Sequence, residues 1–146
     1  MPDALVERAL AIRRGLAPLS FLVGTWRGTG SVHGSPITSD LVISWLFDET
    51  FLEAQEVLRD PSGAVVHEDR ALYRFDPEER RVKVVHLLPG GWYLERLVVV
   101  GERQAVWEGG PYAARVGLSR IADVLEISVV FPGRPVPDVV VRYVPA

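Results

Sequence analysis

The chain has 146 residues, 48% hydrophobic and 24% charged, with a net charge of -3 and no cysteine. One domain of that size can bury a core. The charge balance excludes a basic footprint for nucleic acid or an anionic membrane. The lack of cysteine excludes disulfides, thiolate metal sites and thiol catalysis, and fits a cytoplasmic location.

The first residues read as a helix over about 3–15, capped by Asp3, with Leu5, Ala9, Ile12 and Leu16 on one side. Glu7, Arg8, Arg13 and Arg14 interrupt any apolar run there, so the segment does not read as a signal peptide. No stretch is long and apolar enough for a membrane span. Pro18 stops the helix from simply continuing. Next come Gly24-Thr25-Trp26-Arg27-Gly28-Thr29-Gly30, the expected hand-over from helix to first strand. The segment lacks the lysine and spacing of a phosphate loop, so its glycines are expected to permit close backbone packing. Trp26 reads as a plug beneath the helix.

From there strand-like runs alternate with turns. Strands are expected near 25–33, 39–47, 51–59, 64–75, 81–88, 92–100, 104–109, 113–120, 123–130 and 138–144. The punctuation includes Asp60-Pro61-Ser62-Gly63, Asp76-Pro77, Pro89-Gly90-Gly91 and Gly109-Gly110-Pro111. About ten strands with no helix between them imply an all-β, antiparallel up-and-down barrel, closed so that no edge is left open. One domain over 1–146 is expected, with the barrel spanning about 25–144 and the short N-terminal helix as a cap.

Side chains alternate across a strand, which assigns faces. Leu41, Ile43, Trp45 and Phe47 share the bulkier face of their strand and are expected inside. Val65, His67, Asp69, Ala71, Tyr73 and Phe75 share another interior face, and Val82, Val84, His86 and Leu88 a third. Two histidines on adjacent strands therefore point inward. Each reads either as a ligand anchor or as an interior histidine hydrogen-bonded to a neighbour such as Asp69 or Tyr73. His33 lies in a glycine-rich turn and is expected in solvent.

The later strands mix apolar and charged residues on both faces. A ligand-holding barrel places a few charges on an apolar lining, so Arg96 and Arg115 are candidates, with lining and surface both open for them. The candidate cavity set is thus His67, His86, Trp45, Tyr73, Arg96 and Arg115. Glu53, Glu56, Glu68 and Asp69 read as solvated strand charges, because adjacent carboxylates such as Glu68 and Asp69 face opposite ways and form no acid–base couple. No catalytic residue, metal site or nucleophile elbow is assigned.

The run Leu16-Ala17-Pro18-Leu19-Ser20-Phe21-Leu22-Val23-Gly24-Thr25-Trp26-Arg27-Gly28-Thr29-Gly30 resembles the opening of the nitrobindin family. Ser35-Pro36-Ile37-Thr38 faintly echoes that family's next segment. The resemblance implies a barrel similar to fatty-acid-binding proteins within the lipocalin-like group. Some members bind haem b and handle nitric oxide or peroxynitrite at ferric iron. Their axial histidine lies on a late strand, whereas no histidine follows His86 here, so haem would need His67 or His86 as a substitute. Tyr73-Arg74-Phe75-Asp76-Pro77 is similar to a turn in a second lipocalin-like family of unknown function. The arginine–x–tyrosine clamp of fatty-acid-binding proteins is not reproduced, since Arg142 and Tyr143 are adjacent and face opposite ways.

The expected function is non-catalytic binding of a small hydrophobic or amphipathic molecule in the barrel, with no cofactor required. A nitrobindin-type haem protein is the alternative. An enzyme using a cavity histidine ranks lower. A homodimer is a further possibility, favoured if Leu97, Val139 or Val141 forms an apolar outer face.

Overall fold

The computed structural model describes residues 2–109 and 114–146. Helix α1 (Pro2–Leu16) leads into a 3-10 helix (Ala17–Leu22), the chain tightening where Pro18 blocks a further α-turn. Ten strands follow: β1 (Gly24–Val32), β2 (Ser35–Leu46), β3 (Phe51–Arg59), β4 (Val65–Asp76) and β5 (Arg81–Leu88), then β6 (Trp92–Gly101), β7 (Gln104–Gly109), β8 (Ala114–Ile121), β9 (Val124–Val130) and β10 (Val139–Pro145). Each pairs antiparallel with its sequence neighbour, and β1 pairs with β10 to close the barrel. The expected fold class is therefore the observed one. The expected turn residues Gly110 and Pro111, and the expected strand start at Ala113, lie outside the described residues.

One end of the barrel is sealed. Leu16, Leu19 and Leu22 are fully buried, and Ile12 and Phe21 pack against the same core. Trp26 is buried there, its Nε1 donating to the Leu22 carbonyl at 3.0 Å while the Arg120 guanidinium lies 5.2 Å from its ring centroid. Gly15 sits against the Phe75 ring, where a Cβ would collide. Arg8–Glu78 at 2.9 Å and Arg13–Asp48 at 3.1 Å fasten α1 to the turns below it. Only the C-terminal half of α1 acts as a lid: Leu5, expected on its buried side, is 69% exposed.

The glycines of β1 let the closing strand approach. A Cβ on Gly30 would strike the Val140 carbonyl, and one on Gly28 would sit 2.6 Å from the Tyr143 ring. Gly28 and Tyr143 are cross-strand partners, so the missing side chain is the space that the tyrosine ring fills.

Three expected faces need correction. Val65 is 50% exposed and Val66 borders the cavity, because the β3–β4 register shifts between Leu58 and Arg59. Phe47 is 77% exposed, because β2 ends at Leu46 and Phe47, Asp48 and Glu49 take positive φ in the turn. Val141 is buried and Val139 borders the interior, so neither contributes to an outer apolar face; Leu97 does lie outside.

Candidate functional site

Opposite the α1 end the barrel keeps a cavity of about 450 Å³, with a smaller recess of about 80 Å³ beneath it. Leu58, Leu88, Val116, Val129 and Phe131 give it apolar walls. That size lies within the range of small-molecule pockets, which combine mostly apolar lining with a few placed polar groups.

The polar groups collect on one side, where β3, β4 and β5 meet. On β3, Leu52, Ala54 and Leu58 point inward, and Glu56 shares their face. Its cross-strand partner on β4 is Asp69, two residues from His67 on the same interior face. Beside them on β5 lies His86. His67 Nε2 donates to Asp69 Oδ2 at 2.8 Å, and His86 Nε2 lies 3.6 Å from the same oxygen. His67 is nearer the mouth, its side chain 39% exposed against 14% for His86. The His86 ring meets Trp107 edge-on at 5.0 Å, and Trp107 Nε1 donates to the Tyr73 hydroxyl at 3.4 Å in the recess.

Glu56 is anchored from across the barrel. Tyr143 on β10 donates its hydroxyl proton to Glu56 Oε2 at 2.7 Å. That leaves Ser39, buried on β2, to donate to the Tyr143 hydroxyl at 2.9 Å. Side chains from β2 and β10 thus hold a carboxyl of β3 in place.

These surroundings set the charges. Burial, and then the nearby Asp69 charge, push the Glu56 carboxyl up to about 7, although the Tyr143 hydrogen bond pulls the other way. Burial also works to raise Asp69, but the bonds from His67 and His86 outweigh it and hold that carboxyl below its ordinary value. The Asp69 hydrogen bond keeps the His67 imidazole above its ordinary value. Burial drives the Tyr73 and Tyr143 hydroxyls upward, so both stay protonated donors at neutral pH. The cluster therefore combines one firmly ionised carboxylate, one carboxyl that titrates near neutrality and two imidazoles.

Of the six expected cavity residues, His67, His86 and Tyr73 come together as this cluster and its floor. Trp45 packs half-buried against the core near the α1 end, away from the cavity. Arg96 and Arg115 are exposed and border a shallow depression on the outer wall with Glu95 and Glu108. For Arg115 the reason is parity, since Ala114 and Leu118 take the buried positions of β8. Arg96 shares parity with buried Val98, but β6 pairs with β7 only over Val99–Gly101. Among the described residues its first half is paired on the β5 side alone, so alternation there no longer implies burial.

The reading of Glu56 and Asp69 as solvated charges is also corrected: both line the cavity. His33 is exposed as expected, with Nδ1 3.4 Å from Asp138 Oδ1.

Both cavity histidines turn Nε2 toward Asp69, and Nδ1 of His86 is buried without a hydrogen-bond partner. The facing strands β8, β9 and β10 bring Val116, Val129 and Val139 to the cavity. Among the described residues, no three His, Asp or Glu side chains converge as a metal-binding group. No helix among them is long and apolar enough to cross a membrane.

No family model matches the chain, and no curated protein matches it significantly.

Proposed function

We propose that this barrel binds a small amphipathic molecule, its apolar body against the valine and leucine walls and its polar end at the Glu56–Asp69–histidine cluster. One observation carries the reading: an apolar cavity of about 450 Å³ whose polar groups lie on a single side. A one-sided polar cluster orients a guest, whereas a barrel filled by its own side chains has no use for one. The likeness of the opening segment to the nitrobindin family points to the same class of barrel. The cluster is taken as a recognition surface, and binding without turnover is the function assigned. The cysteine-free composition suits a reducing compartment, which we take to be the cytoplasm.

Nile red, a neutral dye that brightens in apolar surroundings, tests this directly. Saturable brightening at one dye per chain is expected. Val116→Trp, which fills the cavity, is expected to abolish it while leaving the far-ultraviolet circular dichroism unchanged. No saturable binding, or equal binding by the filled variant, overturns the reading.

A further inference from the structure

The polar end of the cavity holds two carboxylates and two imidazoles. Among the described lining residues there is no guanidinium or ammonium group. The cations of the neighbouring strands are turned outward: Arg74 pairs with Glu95 at 3.1 Å, Lys83 with Asp76 at 3.1 Å, and Arg96 and Arg115 lie on the outer wall. His67 and His86 both approach Asp69 through Oδ2, and no hydrogen bond among the described residues reaches its Oδ1. Glu56 stands beside it in the same state: Tyr143 takes its Oε2, and no hydrogen bond among the described residues reaches its Oε1. Glu56 borders both the cavity and the recess beneath it. The cavity thus offers a guest an open acceptor.

We propose that the cavity selects an amine: an apolar body carrying an ammonium head that donates to Glu56 Oε1, in preference to the alcohol or the carboxylate of equal chain length. This rests on the binding reading above and names its ligand class. A carboxylate head would be set beside Asp69 and Glu56 in a low-dielectric pocket, where like charges repel strongly. The His67 imidazole, held above its ordinary value, is already committed to Asp69. An alcohol could donate to Glu56 but would bring no charge to it. An ammonium supplies both, and a charge-assisted hydrogen bond is about twice as strong as a neutral one. The Trp107 ring in the cavity wall offers a further surface that favours a cation. Glu56 is partly protonated near neutrality, so ammonium binding there expels a proton from it.

Displacement of Nile red by decylamine, decanol and decanoate near neutral pH tests the order. Decylamine is expected to displace the dye at a concentration about tenfold below decanol, with decanoate weakest, tenfold being about 1.4 kcal/mol. Glu56→Gln is expected to weaken decylamine about tenfold relative to decanol and to improve decanoate. Calorimetry on the unaltered chain, in two buffers of different ionisation enthalpy, is expected to detect proton release with decylamine and none with decanol. Decanoate displacing as well as decylamine, or decylamine binding without proton release, overturns the amine assignment while leaving the binding reading intact. Failure of Nile red and of all three competitors to bind overturns both.

Discussion

The Tyr143 hydroxyl donates to Glu56 Oε2 at 2.7 Å, joining residues 87 positions apart in the sequence. This bond ties the barrel's closure to its cavity, because the strand that seals the sheet also holds the carboxyl that borders the pocket. Gly28 makes it possible by leaving the tyrosine ring its space.

Removing the hydroxyl by Tyr143→Phe leaves the ring in place but strands the Glu56 carboxyl and the Ser39 hydroxyl. A loss of about 1–3 kcal/mol is expected, the range for orphaning buried polar partners. Urea denaturation measures it. The same variant is expected to raise the Glu56 pKa further, since the hydrogen bond that lowers it is gone, and an NMR titration of the side-chain carboxyl checks that.

Adding one methyl group at Gly28 attacks the arrangement from the other side. Gly28→Ala places a Cβ 2.6 Å from the Tyr143 ring and 2.7 Å from Val141. Overpacking of this kind costs about 1–3 kcal/mol. A fall in the urea midpoint with an unchanged slope is expected, together with weaker Nile red binding as the tyrosine shifts off Glu56.

Stability is expected to fall as pH rises through neutrality. The Glu56 carboxyl moves from its ordinary 4.5 to about 7 on folding, so the folded chain binds more protons than the unfolded one between those values. The loss across the window is at most about 3.5 kcal/mol, since moving a pKa by one is worth about 1.4 kcal/mol. His67 has the same sign: its raised value means stability lost as pH rises through it. Asp69, held low, acts oppositely and only in acid. The groups facing Glu56 are Asp69 and His67 on β4, His86 on β5 and the two hydroxyls of Tyr143 and Ser39. Glu56→Gln is expected to flatten the slope between about pH 5 and pH 7 in thermal melts, leaving the His67 contribution.

At the sealed end, Trp26→Phe keeps a large ring but loses the donor to Leu22 and part of the stacking surface under Arg120. About 1–2 kcal/mol of destabilisation is expected. Faster amide hydrogen exchange in the 3-10 helix, with little change at His67 and His86, is the accompanying signature.

Much of the barrel was legible because its turns are written locally. Asp60-Pro61-Ser62-Gly63 and Asp76-Pro77 mark strand ends whatever lies beyond them. Alternation also placed His67, Asp69 and His86 on interior faces. The cluster itself was not legible, because it depends on register. Glu56 and Asp69 become neighbours only when β3 and β4 pair, and Tyr143 reaches them only when β10 closes on β1. A signal for Glu56 did exist, since Leu52, Ala54 and Leu58 share its parity. Its charge outweighed that parity in a reading strand by strand. Arg96 failed for the reverse reason: its parity was right for an interior position, but β6 is not paired with β7 there and the side chain is exposed.

The central claim is a guest inside the barrel at the Glu56 end, and NMR shift mapping during a Nile red titration tests it most directly. Saturable shifts are predicted at Glu56, His67, His86, Val116 and the Trp107 indole. Shifts confined to the outer wall at Glu95, Arg96 and Arg115, or no saturable shifts at all, would contradict it.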